Sequence, residues 1–155
     1  VEKTVFRRED RGDDAVAATA VRTRHADHDR VQLDGFVPPG ETARDQADRG
    51  LSFAATFLSE YCGGGLRDVT TIRHYVREDL LPKAEFEIGA ACRDHFEPPE
   101  LPATVMVGVS DIVGGDAAVK VELRATVPHD RETTETEVVE LPPPPGYTSS
   151  ADRTE

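Results

Sequence analysis

Few clusters in this 155-residue chain combine residue types and spacing suited to chemistry. His25-Ala26-Asp27-His28-Asp29 gathers two imidazoles and two carboxylates in one short run. Such groups ligate metals. No further ligand cluster completes a site, however, and a polar turn between strands explains the run better. Cys62 and Cys92 are the only cysteines, too few for a disulfide framework or a four-cysteine zinc site. One bridge satisfies the count alone, but each thiol reads better as a small buried hydrophobe than as a nucleophile. Gly63-Gly64-Gly65 suggests a phosphate loop, yet it follows an apolar-periodic helix and lacks a Lys-Ser/Thr pair, so it reads as helix termination. What stands out is an alternation. Lys120, Glu122 and Arg124 interleave with Val119, Val121, Leu123 and Ala125, which puts three charges on one side of a strand and an apolar row on the other.

The elements that must position those charges follow from periodicity and breakers. Val1 to Asp14 reads as a charged lead-in without a secretory signal. Ala15 to Arg22 and Arg30 to Asp34 read as strands, the second stopped by Gly35 and then Pro38-Pro39-Gly40. Glu41 to Cys62 is the clearest helix, with Ala43, Ala47, Leu51, Ala54, Leu58 and Tyr61 in one stripe. Asp68 to Val76 reads as a strand and Lys83 to His95 as a helix whose inward face carries Phe86, Ala90 and Cys92. The proline-rich run Glu97 to Pro102 breaks that helix. Ala103 to Ser110 and Ala118 to Val127 read as a hairpin about Gly114-Gly115. Residues 15–127 thus form one domain of order β-β-α-β-α-β-β. Residues 128–155 are an acidic tail with four consecutive prolines and at most a short strand at Glu137 to Leu141.

The hairpin predicts faces. Pairing about Gly114-Gly115 sets Thr104 opposite or nearly opposite Arg124. Val105, Val107 and Val109 then join Val119, Val121 and Leu123 under the helices. Thr104, Met106 and Gly108 join Lys120, Glu122 and Arg124 on the other face, and a one-residue slip would exchange the two sets. That second face is either solvated or a subunit interface that gathers polar groups into a pocket.

Composition narrows the class. Acidic residues number 30 against 18 basic, for a net charge of -12. That balance argues against a general DNA binder. Apolar runs fall short of the roughly 18 residues a membrane-spanning helix needs, so a cytoplasmic protein with no membrane partner is expected. Lysine occurs only as Lys3, Lys83 and Lys120, and arginine supplies 15 of the 18 basic residues. A large acidic excess with little lysine resembles the bias of extreme halophiles, whose dense carboxylate surface holds water and cations in molar salt.

Several segments together resemble the RidA/YjgF family of reactive-intermediate (enamine/imine) deaminases. They are Val31-Gln32-Leu33-Asp34-Gly35, Asp45-Gln46, Gly64-Gly65-Leu66-Arg67-Asp68-Val69 with His74-Tyr75-Val76, and Phe96 to Val105 with Val119 to Ala125 closing the domain. The resemblance implies an α+β, chorismate mutase-like fold: a mixed sheet with two helices on one face. It also implies a homotrimer whose sheets face inward and whose inter-subunit clefts hold small carboxylate ligands, with no cofactor or metal. Gly35 keeps the family's glycine, and Pro102-Ala103 keeps its Pro-Ala, so Gly35, Ala103 and Met106 are carried over as ligand-binding positions. Thr104 stands where the deaminases have a substrate-clamping arginine, and Arg124 where they have an acidic residue. Arg124 beside Thr104 is therefore the candidate replacement clamp, since an arginine binds a carboxylate through two parallel hydrogen bonds. Its alternative is an ion pair with Glu122 or with another subunit. Glu122 and Thr104 are the candidate catalytic pair for orienting water at an imine carbon. A non-catalytic ligand-binding or protein-interaction module on the same fold is the second reading. An RNA-binding or ribonuclease-type translation inhibitor is the third; the acidic balance opposes it at low salt, less so where salt screens charge.

Overall fold

A computed structural model describes residues 1–9, 18–113 and 117–146 of the chain. Six strands form one mixed sheet: β1 (Glu2–Phe6), β2 (Ala20–Arg24), β3 (His28–Phe36), β4 (Val69–Arg77), β5 (Ala103–Val109) and β6 (Val119–Pro128). Their order across the sheet is β1-β2-β3-β6-β4-β5. Only β4 and β5 pair in parallel. Two helices, α1 (Ala43–Cys62) and α2 (Lys83–His95), cover one face.

Helix α1 follows its sequence signals. The Thr42 hydroxyl accepts from the Asp45 N–H at 3.0 Å, which caps the first turn. Gly63, at φ +68°, ends the last turn in a left-handed conformation that a residue with a Cβ adopts only with strain. Ala43, Ala47, Leu51, Ala54 and Leu58 are buried as the stripe predicts, whereas Tyr61 is exposed beside Phe6. In α2 the inward face is Ala84, Ile88 and Ala91. Phe86 is 75% exposed, which corrects the predicted inward face. Spacing decides here: residues four and then three apart face α1, and small alanines let the helices approach.

The predicted hairpin is not formed. Strand β4 lies between β5 and β6: Ile72 pairs with Thr104 on one side and with Leu123 on the other. Helix α2 supplies the crossover that a parallel β4–β5 pair requires, so β5 is placed beyond β4 and the chain returns over it to β6. Gly114-Gly115 lies outside the described residues. The return is anchored by Gln46, whose Oε1 accepts from the Ala118 and Val119 N–H groups at 3.0 Å each. Gln46 is buried and donates from Nε2 to the Gly40 carbonyl at 3.0 Å, so the crossover's buried amides stay satisfied.

This topology inverts the predicted faces of β5. Thr104, Met106 and Gly108 register with Ile72, His74 and Val76, all buried under the helices. Val105, Val107 and Val109 register with Arg73, Tyr75 and Arg77 on the uncovered face. The prediction for β6 holds: Val119, Val121, Leu123, Ala125 and Val127 are buried, and Lys120, Glu122, Arg124 and Thr126 alternate with them.

Both ends of the chain add to the domain. Glu2–Phe6, read from sequence as part of the lead-in, pairs with β2, and Phe6 sets its ring edge-on to Phe57 at 5.1 Å. Val5 and Phe6 are strand formers, but the run is too short to stand out among charges. Past β6, His129 Nε2 meets Asp29 Oδ1 at 2.7 Å, and Arg131 holds Asp68 through two bonds of 2.9 and 2.8 Å. The Thr136 hydroxyl donates to Glu100 at 2.7 Å. The short strand at Glu137 to Leu141 is absent, and those residues are exposed. Among the described residues no helix is long and apolar enough to cross a membrane.

Candidate functional site

Nothing within the described residues covers the second face of the sheet. Its central row runs Val21, Gln32, Arg124, Thr71, Ala103 from β2 to β5. On one side lies the row Thr23, Arg30, Thr126, and on the other Glu122, Arg73, Val105. A shallow depression of about 610 Å³ opens over the first two rows, lined by Arg30, Gln32, Thr70, Thr71 and Arg124 among others. Arg124 is exposed, and its guanidinium has no hydrogen-bond or ion-pair partner among the described residues. Its backbone carbonyl accepts from the Thr70 hydroxyl at 3.2 Å, next to the irregularity between Val69 and Thr71 in β4. The guanidinium is thus carried by a central, fully paired strand, and its donors are left open to a ligand.

Glu122 is differently placed. Arg73 Nη1 donates to its Oε1 at 3.1 Å, and the Tyr75 hydroxyl reaches its Oε2 at 3.5 Å. The hydrogen bond with Tyr75 and the charge of Glu122 raise the Arg73 pKa further. The expected ion pair between Glu122 and Arg124 is not formed; Glu122 pairs instead with Arg73 of β4. Lys120 lies beside Tyr75 in the register, with its stem against Gly35. A Cβ on Gly35 would approach Lys120 Cε to 3.0 Å, and the φ of +63° disfavours a side chain there as well.

The structure separates Thr104 from Arg124. With β4 between them they lie two strand spacings apart, about 9.5 Å, and on opposite faces. Met106 is likewise on the helix side, packed against the core. Ala103 shares the row of Arg124, one strand beyond Thr71. Of the residues predicted for the site, Arg124, Glu122, Ala103 and Gly35 belong to the open face or its rim, whereas Thr104 and Met106 do not. Arg30, Thr70 and Thr71 were not predicted. The alternation Arg30, Gln32, Asp34 was the available signal, but only the β3–β6 pairing brings it beside Arg124.

The other sequence clusters serve the fold. Asp29 is buried: burial raises its carboxyl pKa, and hydrogen bonds from His129 and Arg24 outweigh that and hold it below the usual range. His28 Nδ1 lies 2.7 Å from Asp27, and His25 stacks on His28. No group of three or more metal-ligating side chains occurs among the described residues. Cys62 and Cys92 are free, and burial pushes both thiols up, away from the reactive thiolate.

Neither a protein-family model nor a curated protein matches the sequence. Solved structures do match the fold. A member of the highly conserved YjgF/YER057c/UK114 family from Mycobacterium tuberculosis superposes with a TM-score of 0.68 at 25% identity, covering 81% of this chain and 100% of that one. A YjgF family protein from Neisseria meningitidis gives 0.65 at 22% identity, covering 83% and 97%. RidA from an Antarctic Psychrobacter gives 0.62 at 17% identity, covering 74% and 90%. Along nearly the whole length of these proteins, the chain shares the fold of the YjgF/RidA family.

Proposed function

We propose that this protein binds a small carboxylate metabolite on the open face of its sheet, with Arg124 as the carboxylate clamp, and that copies assemble as a homotrimer with these faces inward. The observation that carries the reading is the unpartnered Arg124 guanidinium over the depression on the uncovered face. An arginine held on a rigid strand and free of internal carboxylates is organised in advance for a bidentate contact. Apolar margins support the assembly: Val5 and Val105 are 49% and 47% exposed on the same face. Light scattering should return three times the chain mass; a monomer mass contradicts the assembly.

Hydrolysis of an imine or enamine to a keto acid is the second reading. Glu122 lies two residues from Arg124 on the same side of β6, roughly 7 Å along the strand. A ligand anchored at Arg124 therefore extends toward a carboxylate that is held in place by Arg73 and able to orient water. The test is keto-acid release from freshly generated amino-acid imines in molar KCl. Hydrolysis requires acceleration by the wild type that Arg124→Ala removes. If a control deaminase accelerates release and this protein does not, the protein is a binding module.

A further inference from the structure

Arg124 is not alone in the depression. Arg30 lies diagonally from it across the β3–β6 pair: Arg124 is opposite Gln32, and Arg30 is opposite Thr126. Diagonal neighbours of this kind are about 7–8 Å apart and within reach of long side chains. Arg30 is also exposed and lacks a side-chain partner among the described residues. Two like charges at that distance repel, and neither has an ion-pair partner among the described residues. No carboxylate lines the depression, although the chain carries 30 acidic residues. Arg73, on the same face, differs: it meets Glu122 at 3.1 Å. The remaining polar lining consists of neutral groups, Thr23, Thr70, Thr71, Thr126 and Gln32, which leave the positive charge uncancelled; Thr70 already donates to the Arg124 carbonyl and Gln32 to Asp34.

Resting on the open-face reading above, we propose that the ligand is dianionic, with one anionic group on Arg124 and a second on Arg30. Dicarboxylates and phosphorylated acids share that chemistry. The hydroxyls of Thr23, Thr71 and Thr126 serve both groups, and the mutual repulsion of the arginines is relieved only when the second charge is in place.

Calorimetric titration at one fixed KCl concentration tests this with propionate, succinate and inorganic phosphate against wild type, Arg30→Gln and Arg124→Gln. Both arginines are exposed, so the variants keep the core, and far-UV circular dichroism confirms it. Wild type should bind succinate about tenfold more tightly than propionate, the usual worth of one charged hydrogen bond. Arg30→Gln should abolish that preference, so that the variant binds propionate and succinate equally. Phosphate and succinate together separate the two sources of dianion. If wild type binds propionate and succinate equally, or Arg30→Gln keeps the preference, the dianion inference is wrong while the Arg124 clamp stands. If Arg124→Gln binds propionate as well as wild type does, or no probe binds wild type, the open-face reading fails and the inference with it.

Discussion

The two faces of one sheet follow opposite rules. Under the helices, Leu33, Ile72, Val76, Val119, Val121 and Leu123 are fully buried, and only His74 Nε2 lacks a hydrogen-bond partner among the buried side-chain polar atoms described. On the uncovered face the same strands carry Arg30, Gln32, Arg73, Lys120, Glu122 and Arg124, with Arg30 and Arg124 unpaired among the described residues. The covered face is arranged for stability, since apolar burial dominates folding. The open face gives some of that up, because unneutralised neighbouring charges oppose the compact state and make sense as a site for an outside anion. Strand β6 belongs to both faces, so substitutions one residue apart on it should act on different properties.

The largest effect expected from this contrast is on β6 itself. Leu123→Ala should lower unfolding free energy by about 2–5 kcal/mol in urea titrations, the cost of lost burial plus a cavity. Arg124→Gln, one residue away, should stay within about 0.5 kcal/mol of wild type. Equal losses at the two positions would erase the distinction between the faces.

The next effect belongs to His74. Burial lowers its pKa from 6.5 to about 4. The unfolded chain therefore takes up a proton near pH 6.5 that the folded chain refuses until near pH 4. The stabilising contribution is complete above pH 6.5 and is lost as pH falls through that window, by about 3 kcal/mol in all. His74→Leu should flatten this part of the pH–stability curve. An unchanged acid slope in the variant would show that His74 is not the group responsible.

What could be read from sequence follows the same division. Alternation in β6 was clear because only one of its faces is apolar. In β5 the alternation misleads. Val105, Val107 and Val109 look like core, while Thr104, Met106 and Gly108 look like surface, yet the register puts the second set on the helix side, where Thr104 and Gly108 stay exposed, and the valines on the open face. An edge strand half exposed on both faces carries a weak signal, and its faces depend on which strand it joins. Gly114-Gly115 between two apolar runs favours a hairpin locally, and nothing local reveals that β4 intervenes. Phe86 misled for a similar reason: size suggested burial, whereas the period of Ala84, Ile88 and Ala91 determined the face. Arg124, the proposed clamp, was placed on the charged side of its strand by alternation, but nothing local paired it with Arg30, because a β3–β6 pairing joins segments about ninety residues apart.

The most direct test of the central claim is an NMR titration with propionate, following backbone amides and arginine Nε–H signals. Arg124, Gln32 and Thr71, in the central row of the open face, should shift in a saturable way, and Thr104 and Met106 on the helix side should not. Saturable shifts at Thr104 and Met106 with none at Arg124 would contradict the assignment of function to the open face.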